Sequence, residues 1–262
     1  MNILKELQAF NKYIFIDDGH RYINLEDEDF QYMGWSSFIA KFTKPFDTKK
    51  HSTNKAKKTG LDADYIAQTW ATKSDIGKLR GSIVHDYCEK LWANKRFPIH
   101  HPSWVMRLGT QTTINYINSV NTMLKYSDEY FMDYKQRFIP IRLELVLGDE
   151  DHKLASMVDK LVYDVVLDCV GIVDYKTDKQ FSTYSYYKEK EKFLPPISHL
   201  DKCEKHKYGL QLQLYKYIIE KYTDIKIEFR KIVWFNPKND SYVILDMDDY
   251  EDELQLMLDS IL

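Results

Sequence analysis

Two aspartates and a lysine form the most chemically suggestive segment of this sequence. Ser156-Met-Val-Asp-Lys-Leu-Val-Tyr163 is followed by Val170-Gly-Ile-Val-Asp-Tyr-Lys-Thr177, so Asp159 and Asp174 each interrupt an apolar run. Both runs read as strands, and side chains two apart on a strand share a face, so Asp174 and Lys176 project together. If the two strands form a hairpin, Asp159 lies across from Asp174 on that face, and two carboxylates and an ammonium converge. Hard divalent cations such as Mg²⁺ take oxygen ligands of this kind, with waters completing the shell. A metal so held polarises a phosphate and lowers the pKa of a bound water. A neighbouring Lys orients or deprotonates that water, or stabilises charge on the phosphate. A lone D-x-K triplet also arises as a surface ion pair at a strand end, so its surroundings decide the reading.

Those surroundings are an ordered series of elements. Residues 13–32 read as a hairpin, with strands at Tyr13–Ile16 and Arg21–Leu25 around the turn Asp18-Gly19. Ser36 or Ser37 is placed to cap a short helix that stops before Lys44-Pro45. Apolar periodicity predicts helices at 61–73, 75–94 and 103–126, then strands at 136–147, 153–163 and 169–177. A polar stretch, 179–206, leads to a helix at 207–222, strands at 226–235 and 241–246, and an acidic helix at 248–261. This order implies one domain, 1–262, of α/β or α+β class: a mixed central sheet (136–246) flanked by helices, with a helical N-terminal elaboration (36–126). Adjacent hairpin strands give antiparallel pairs, and a crossover through the 207–222 helix permits a parallel one.

Three further motifs carry polar residues at telling positions. Gly81, His85 and Glu89 are four apart on a predicted helix and share a face. Gln211 and Tyr215 do the same on the 207–222 helix, where Leu210, Leu214 and Tyr217 can cover the sheet and Gln213 is an alternative to Gln211. Arg142-Leu-Glu144-Leu-Val146 is a strand with one acid among apolar residues, just before the hairpin. Each motif has an ordinary structural explanation by itself, as a packed His or an amphipathic core helix.

Taken in order, these motifs resemble the active-site set of the PD-(D/E)XK nuclease superfamily, in particular its RecB-like and phage exonuclease branch, where the second strand commonly reads V-D-Y-K-T. The resemblance spans roughly residues 76–246. It departs at Ala155-Ser156-Met157, where many relatives carry Gly ahead of the first Asp. It implies a restriction-endonuclease-like fold and a metal-dependent DNA exonuclease of recombination, repair or replication. A structure-specific endonuclease and a non-catalytic nucleic-acid-binding subunit are the alternatives. Asp159, Asp174, the backbone carbonyl of Tyr175, His85 and Glu144 would hold Mg²⁺ or Mn²⁺. Lys176 would activate water, and Gln211 and Tyr215 would orient Lys176 or the DNA backbone, with Glu89 in a supporting place. The branch that carries a four-cysteine iron–sulfur cluster is excluded, because Cys88, Cys169 and Cys203 are too few.

Composition sets the outer limits. With 44% hydrophobic and 29% charged residues the chain is neither disordered nor fibrous. Lys and Arg total 37 against 40 Asp and Glu, so a polyanion such as single-stranded DNA or a duplex end must be held by a local basic patch. The most basic window contains Lys49, Lys50, Lys55, Lys57 and Lys58, and Lys188–Lys207 is a second. Trp35, Phe38, Phe42, Trp70 and Trp92 suit either base stacking or a helical core. Scattered cysteines point to reduced thiols in a cytoplasm, that of the host if the source is a phage. No apolar run is long enough to span a membrane, and no signal peptide is expected at the N-terminus.

Overall fold

A computed structural model describes residues 3–27, 31–184 and 191–261. Lys188 therefore lies outside the described residues. After a helical turn α1 (Ile3–Glu6) and a 3-10 turn at Leu7–Phe10, the expected hairpin forms as β1 (Tyr13–Ile16) and β2 (Arg21–Asn24). A short strand β3 (Met33–Gly34) runs directly into α2 (Trp35–Ala40). Neither Ser36 nor Ser37 caps that helix; both lie inside it, and extended Gly34 is its N-cap. The basic window is itself a helix, α3 (Thr48–Thr59), started by Asp47, whose side chain accepts the Lys50 N–H, and ended by Gly60 at φ +72°.

The next helix, α4 (Ala63–Trp92), fuses the two expected at 61–73 and 75–94. Ser74-Asp75 brings no proline or left-handed residue that would stop the ladder, whereas Gly60 and the capping Asp62 do provide a stop and a restart. At 30 residues α4 reaches about 45 Å. A 3-10 turn at Val105–Arg107 precedes α5 (Thr110–Tyr134), which starts later and runs further than the expected 103–126.

The remaining elements follow the expected order: β4 (Phe138–Asp149), β5 (Leu154–Asp164), β6 (Cys169–Lys176), α6 (Glu204–Tyr222), β7 (Ile227–Trp234), β8 (Val243–Asp246) and α7 (Glu251–Asp259). The sheet is mixed. β4, β5 and β6 form an antiparallel meander, α6 crosses over so that β7 is parallel to β6, and β8 returns antiparallel. β3 adds a short parallel pairing to β5. The chain is thus a mixed α/β domain with helices on both faces of its sheet.

Each face of the sheet has its own core. One packs Ile172, Leu210, Leu214 and Ile218 with the N-terminal hairpin and α2. The other packs Val162, Val173, Tyr175 and Phe235 against Val84, Trp92, Val120 and Tyr130 of α4 and α5. Fully buried Lys160 belongs to the second core. Its Nζ lies 3.3 Å from the Trp92 ring centroid and 4.7 Å from that of Tyr130, and donates to the Tyr130 hydroxyl at 3.2 Å. Burial holds its pKa well below the ordinary lysine value. Lys160→Met, which keeps the stem and removes the nitrogen, is expected to leave Tm unchanged or higher. Lys160→Ala should cost about 3 kcal/mol through the cavity it leaves. Thermal denaturation of the two variants checks this.

Candidate active site

The site forms where strand β5 changes partners. β4 occupies one edge of β5 over most of its length. On the other edge β6 pairs up to Lys160↔Val173, and β3 pairs at Leu154 and Ala155. Between them, residues 156–159 meet no strand on that edge among the described residues. A side chain takes over there: Asp159 Oδ2 accepts the Tyr175 N–H at 2.6 Å. The hairpin therefore splays at the level of its two acids, so that Asp159 and Asp174 stand side by side without closing the ladder.

Helix α4 delivers the third component. Arg80 donates to the Thr177 carbonyl at 3.0 Å and to Ser119 Oγ at 3.2 Å, tying α4 to the end of β6 and to α5. Gly81 keeps this approach close, since a Cβ there would stand a tight 3.2 Å from Thr177 Oγ1. One turn further on, His85 Nδ1 lies 3.3 Å from Asp159 Oδ2. Lys176 is ion-paired to Asp174 and lies over the Tyr208 ring, 4.7 Å from its centroid. Thus His85, Asp159, Asp174 and Lys176, from α4, β5 and β6, come together.

Glu144 joins them from β4. In the β4–β5 register it falls between Leu143↔Lys160 and Leu145↔Val158, opposite Asp159. Its backbone is left-handed, at φ +48°, which is strained for a glutamate. Burial and the Asp159 charge push its carboxyl up to about 8. Burial and Asp159 likewise raise Asp174 to about 6. Burial also opposes the charge on Asp159, yet His85 and Lys176 hold that carboxyl below its ordinary value. His85 is pulled down by burial and, more strongly, up by Asp159, to about 9. The cluster is a buried set of acids with two protein cations against them.

The other expected residues divide. Gln211 Nε2 donates to the Tyr215 hydroxyl at 2.5 Å, and Ser156 also donates to that hydroxyl, so the pair forms as a unit facing β5. Gln211 lines the same cleft as Lys176, but its amide is used on Tyr215 and it makes no hydrogen bond to Lys176. Gln213 points elsewhere, into a small cavity between α6 and α7. Glu89, one turn beyond His85, pairs with Lys90 and contributes charge near Glu144.

An open cleft of about 890 Å³ leads to the cluster, with His85 and Lys176 in its wall and the aspartates behind them. It is basic: Lys73, Lys78, Arg80, Lys176, Lys179 and Lys207 outnumber Asp178 and Glu204. Lys49, Lys50, Lys55, Lys57 and Lys58 do not line it; they are exposed on α3. That helix starts beside the rim, where Phe46 meets His51 and the cleft residue Trp70. Of the five flagged aromatics, Trp35 and Trp70 line the cleft, while Phe38, Phe42 and Trp92 are core. Lys207 belongs to the second basic stretch read from the sequence, whereas Lys73, Lys78, Lys179 and Tyr208 were missed because they come from separate elements. Only Tyr208 had a signal, its i, i+3 spacing to Gln211 on one helical face.

No protein-family model matches this chain, and no curated protein is detectably similar to it. Among the described residues no three His, Cys, Asp or Glu side chains form a ready-made metal cage. The donor types nonetheless suit a divalent cation: the Asp159 charge raises the proton affinity of both Asp174 and Glu144, Asp174 adds to it at Glu144, and Asp174 Oδ2 accepts no hydrogen bond of ordinary geometry although Lys176 sits against it. A carboxyl whose folded pKa is raised stabilises the fold at low pH and loses that contribution as pH rises. For Glu144 the window runs from 4.5 to about 8. In EDTA, Glu144→Gln should therefore gain Tm over the parent chain progressively across that window, as thermal melts in a pH series would show.

Proposed function

We propose that this chain is a metal-dependent deoxyribonuclease of the PD-(D/E)XK superfamily, RecB-like or phage exonuclease branch, hydrolysing phosphodiester bonds during DNA recombination, repair or replication. The observation that carries this reading is the cluster of Asp159, Asp174, Lys176 and His85, with His85 and Lys176 in the wall of a basic cleft and the aspartates directly behind them. The mixed sheet supports it, with an antiparallel meander, a crossover helix and a parallel β7, an arrangement compatible with a restriction-endonuclease-like core. Three free cysteines fit a reducing cytoplasm. No helix of the described residues is long and apolar enough to cross a membrane.

Asp159, Asp174, Glu144, His85 and the Tyr175 carbonyl would hold Mg²⁺ or Mn²⁺, the nitrogen ligand favouring use of Mn²⁺ as well. When bound, the metal supplies Lewis-acid polarisation of the phosphate and a more acidic water. The protein's own groups do the positioning. The Tyr175 N–H fixes the Asp159 carboxylate. Asp174 keeps Lys176 charged and directed at the cluster, its attraction outweighing the burial that would discharge it. Lys176 is then placed to orient the attacking water and to stabilise charge developing on the phosphate. Lys73, Lys78, Lys179 and Lys207 draw the polyanionic strand into the cleft, and Trp35 and Trp70 offer faces to its bases.

Asp174→Ala and Lys176→Ala should each lower Mg²⁺- or Mn²⁺-dependent degradation of end-labelled DNA by roughly a thousandfold while the circular dichroism spectrum is unchanged. Undiminished cleavage by both variants would remove this site from consideration. A circular single strand left intact identifies an exonuclease, and its cleavage identifies the endonuclease alternative. DNA retained in EDTA but never cut in any metal would identify a binding subunit.

A further inference from the structure

The turn joining β5 to β6 carries three consecutive apolar residues into solvent. Val165, Val166 and Leu167 are 42%, 68% and 56% exposed, and Ile139, on the neighbouring strand, is 51% exposed. A hairpin turn needs only polar or small residues, and a run of exposed apolar side chains is disfavoured unless it binds something. The tip is also held in shape. The buried Asp164 carboxylate is gripped by Arg137 through bonds of 2.8–3.0 Å and accepts the N–H groups of Val166 and Leu167. Asp168, at φ +55°, accepts from the Tyr163 hydroxyl. The chain therefore orders this turn with polar bonds beneath it while leaving its apolar side chains uncovered.

A complementary surface lies elsewhere on the same chain. Tyr87, Leu91, Phe97 and Pro98 line a mostly apolar cavity of about 610 Å³ whose remaining lining is Lys95 and Arg96. Neither cation has an ion-pair partner among the described residues; Asp128, at the Tyr87 side of the hollow, accepts the Tyr87 hydroxyl at 2.6 Å. The hairpin tip is flanked by acids instead, Asp168 next to it and Glu228 close by at Cys169, while the one cation there, Arg137, is committed to buried Asp164. An apolar projection with an acidic surround matches an apolar hollow with a basic rim, in both polarity and sign.

We propose that a second copy of this chain docks here, its Val165-Val166-Leu167 tip entering the Tyr87–Pro98 cavity with Lys95 and Arg96 facing Asp168 and Glu228. Because the two surfaces differ, the contact is either exchanged reciprocally in a dimer or repeated head to tail. This association is independent of the nuclease reading. Sedimentation velocity of the full chain, from low to high micromolar concentration, should show mass rising above that of a monomer. Val166→Asp, at an exposed position, should weaken the association roughly tenfold or more, as should the double change Lys95→Glu and Arg96→Glu. Under mild oxidation, Val166→Cys copies mixed with Pro98→Cys copies should yield a crosslinked pair that the parent chain does not. A chain monomeric throughout overturns the proposal. So does an oligomer indifferent to Val166→Asp, or a tip cysteine that couples only to another tip.

Discussion

Burying like charges together is the constraint around which this molecule is organised. Asp159 and Asp174 are almost wholly inaccessible, and Glu144 stands against them. Three carboxylates so close in a poorly solvated place cannot all be ionised without compensation. The structure compensates with Lys176 on Asp174, His85 on Asp159 and one backbone N–H on Asp159. What remains uncompensated is expressed as raised proton affinity at Glu144 and Asp174. Such a cluster contributes little to holding a fold together, and it is the arrangement on which the proposed metal-dependent function rests.

The fold creates that situation by interrupting regular structure at one place. An uninterrupted β5–β6 ladder would turn both aspartates onto a sheet face with their backbones fully paired. Here the ladder ends one residue before each acid, and the Asp159 side chain accepts the N–H released by the parting strands. Strain at Glu144 accompanies the same interruption on the neighbouring strand. The opposite face is densely filled by Tyr175, Tyr130, Trp92 and the stem of Lys160, so the strands are supported behind the point where they part. Helix α4 spans both roles: Trp92 packs in that core, and His85 and Arg80 reach around to the site.

Much of this was readable in the chain. The three strands of the meander, the crossover helix and the grouping of His85, Asp159, Asp174 and Lys176 followed from alternation, helical spacing and one resemblance. Boundaries that depended on a missing stop signal went astray, as in the division of α4 at Ser74. The placing of Ser36 or Ser37 as a cap failed because β3 feeds α2 without a turn. Gln211, expected to orient Lys176 or the DNA backbone, shares the cleft with Lys176 but gives its amide to Tyr215, its i, i+4 neighbour.

The sequence by itself determined which chemistry is available, since the identity of an acid, an amine or an imidazole is local, and which face of a strand or helix carries it, since periodicity is local too. The tertiary structure alone decided how near those groups come, which of them is charged, and what surrounds their entrance. The basic lining of the cleft is drawn from α4, the end of β6 and α6, stretches whose lysines are unremarkable one at a time. Proton affinities depend on burial and on neighbours distant along the chain, as His85 and Asp159, 74 residues apart, show, and distance in space is a property that only packing assigns.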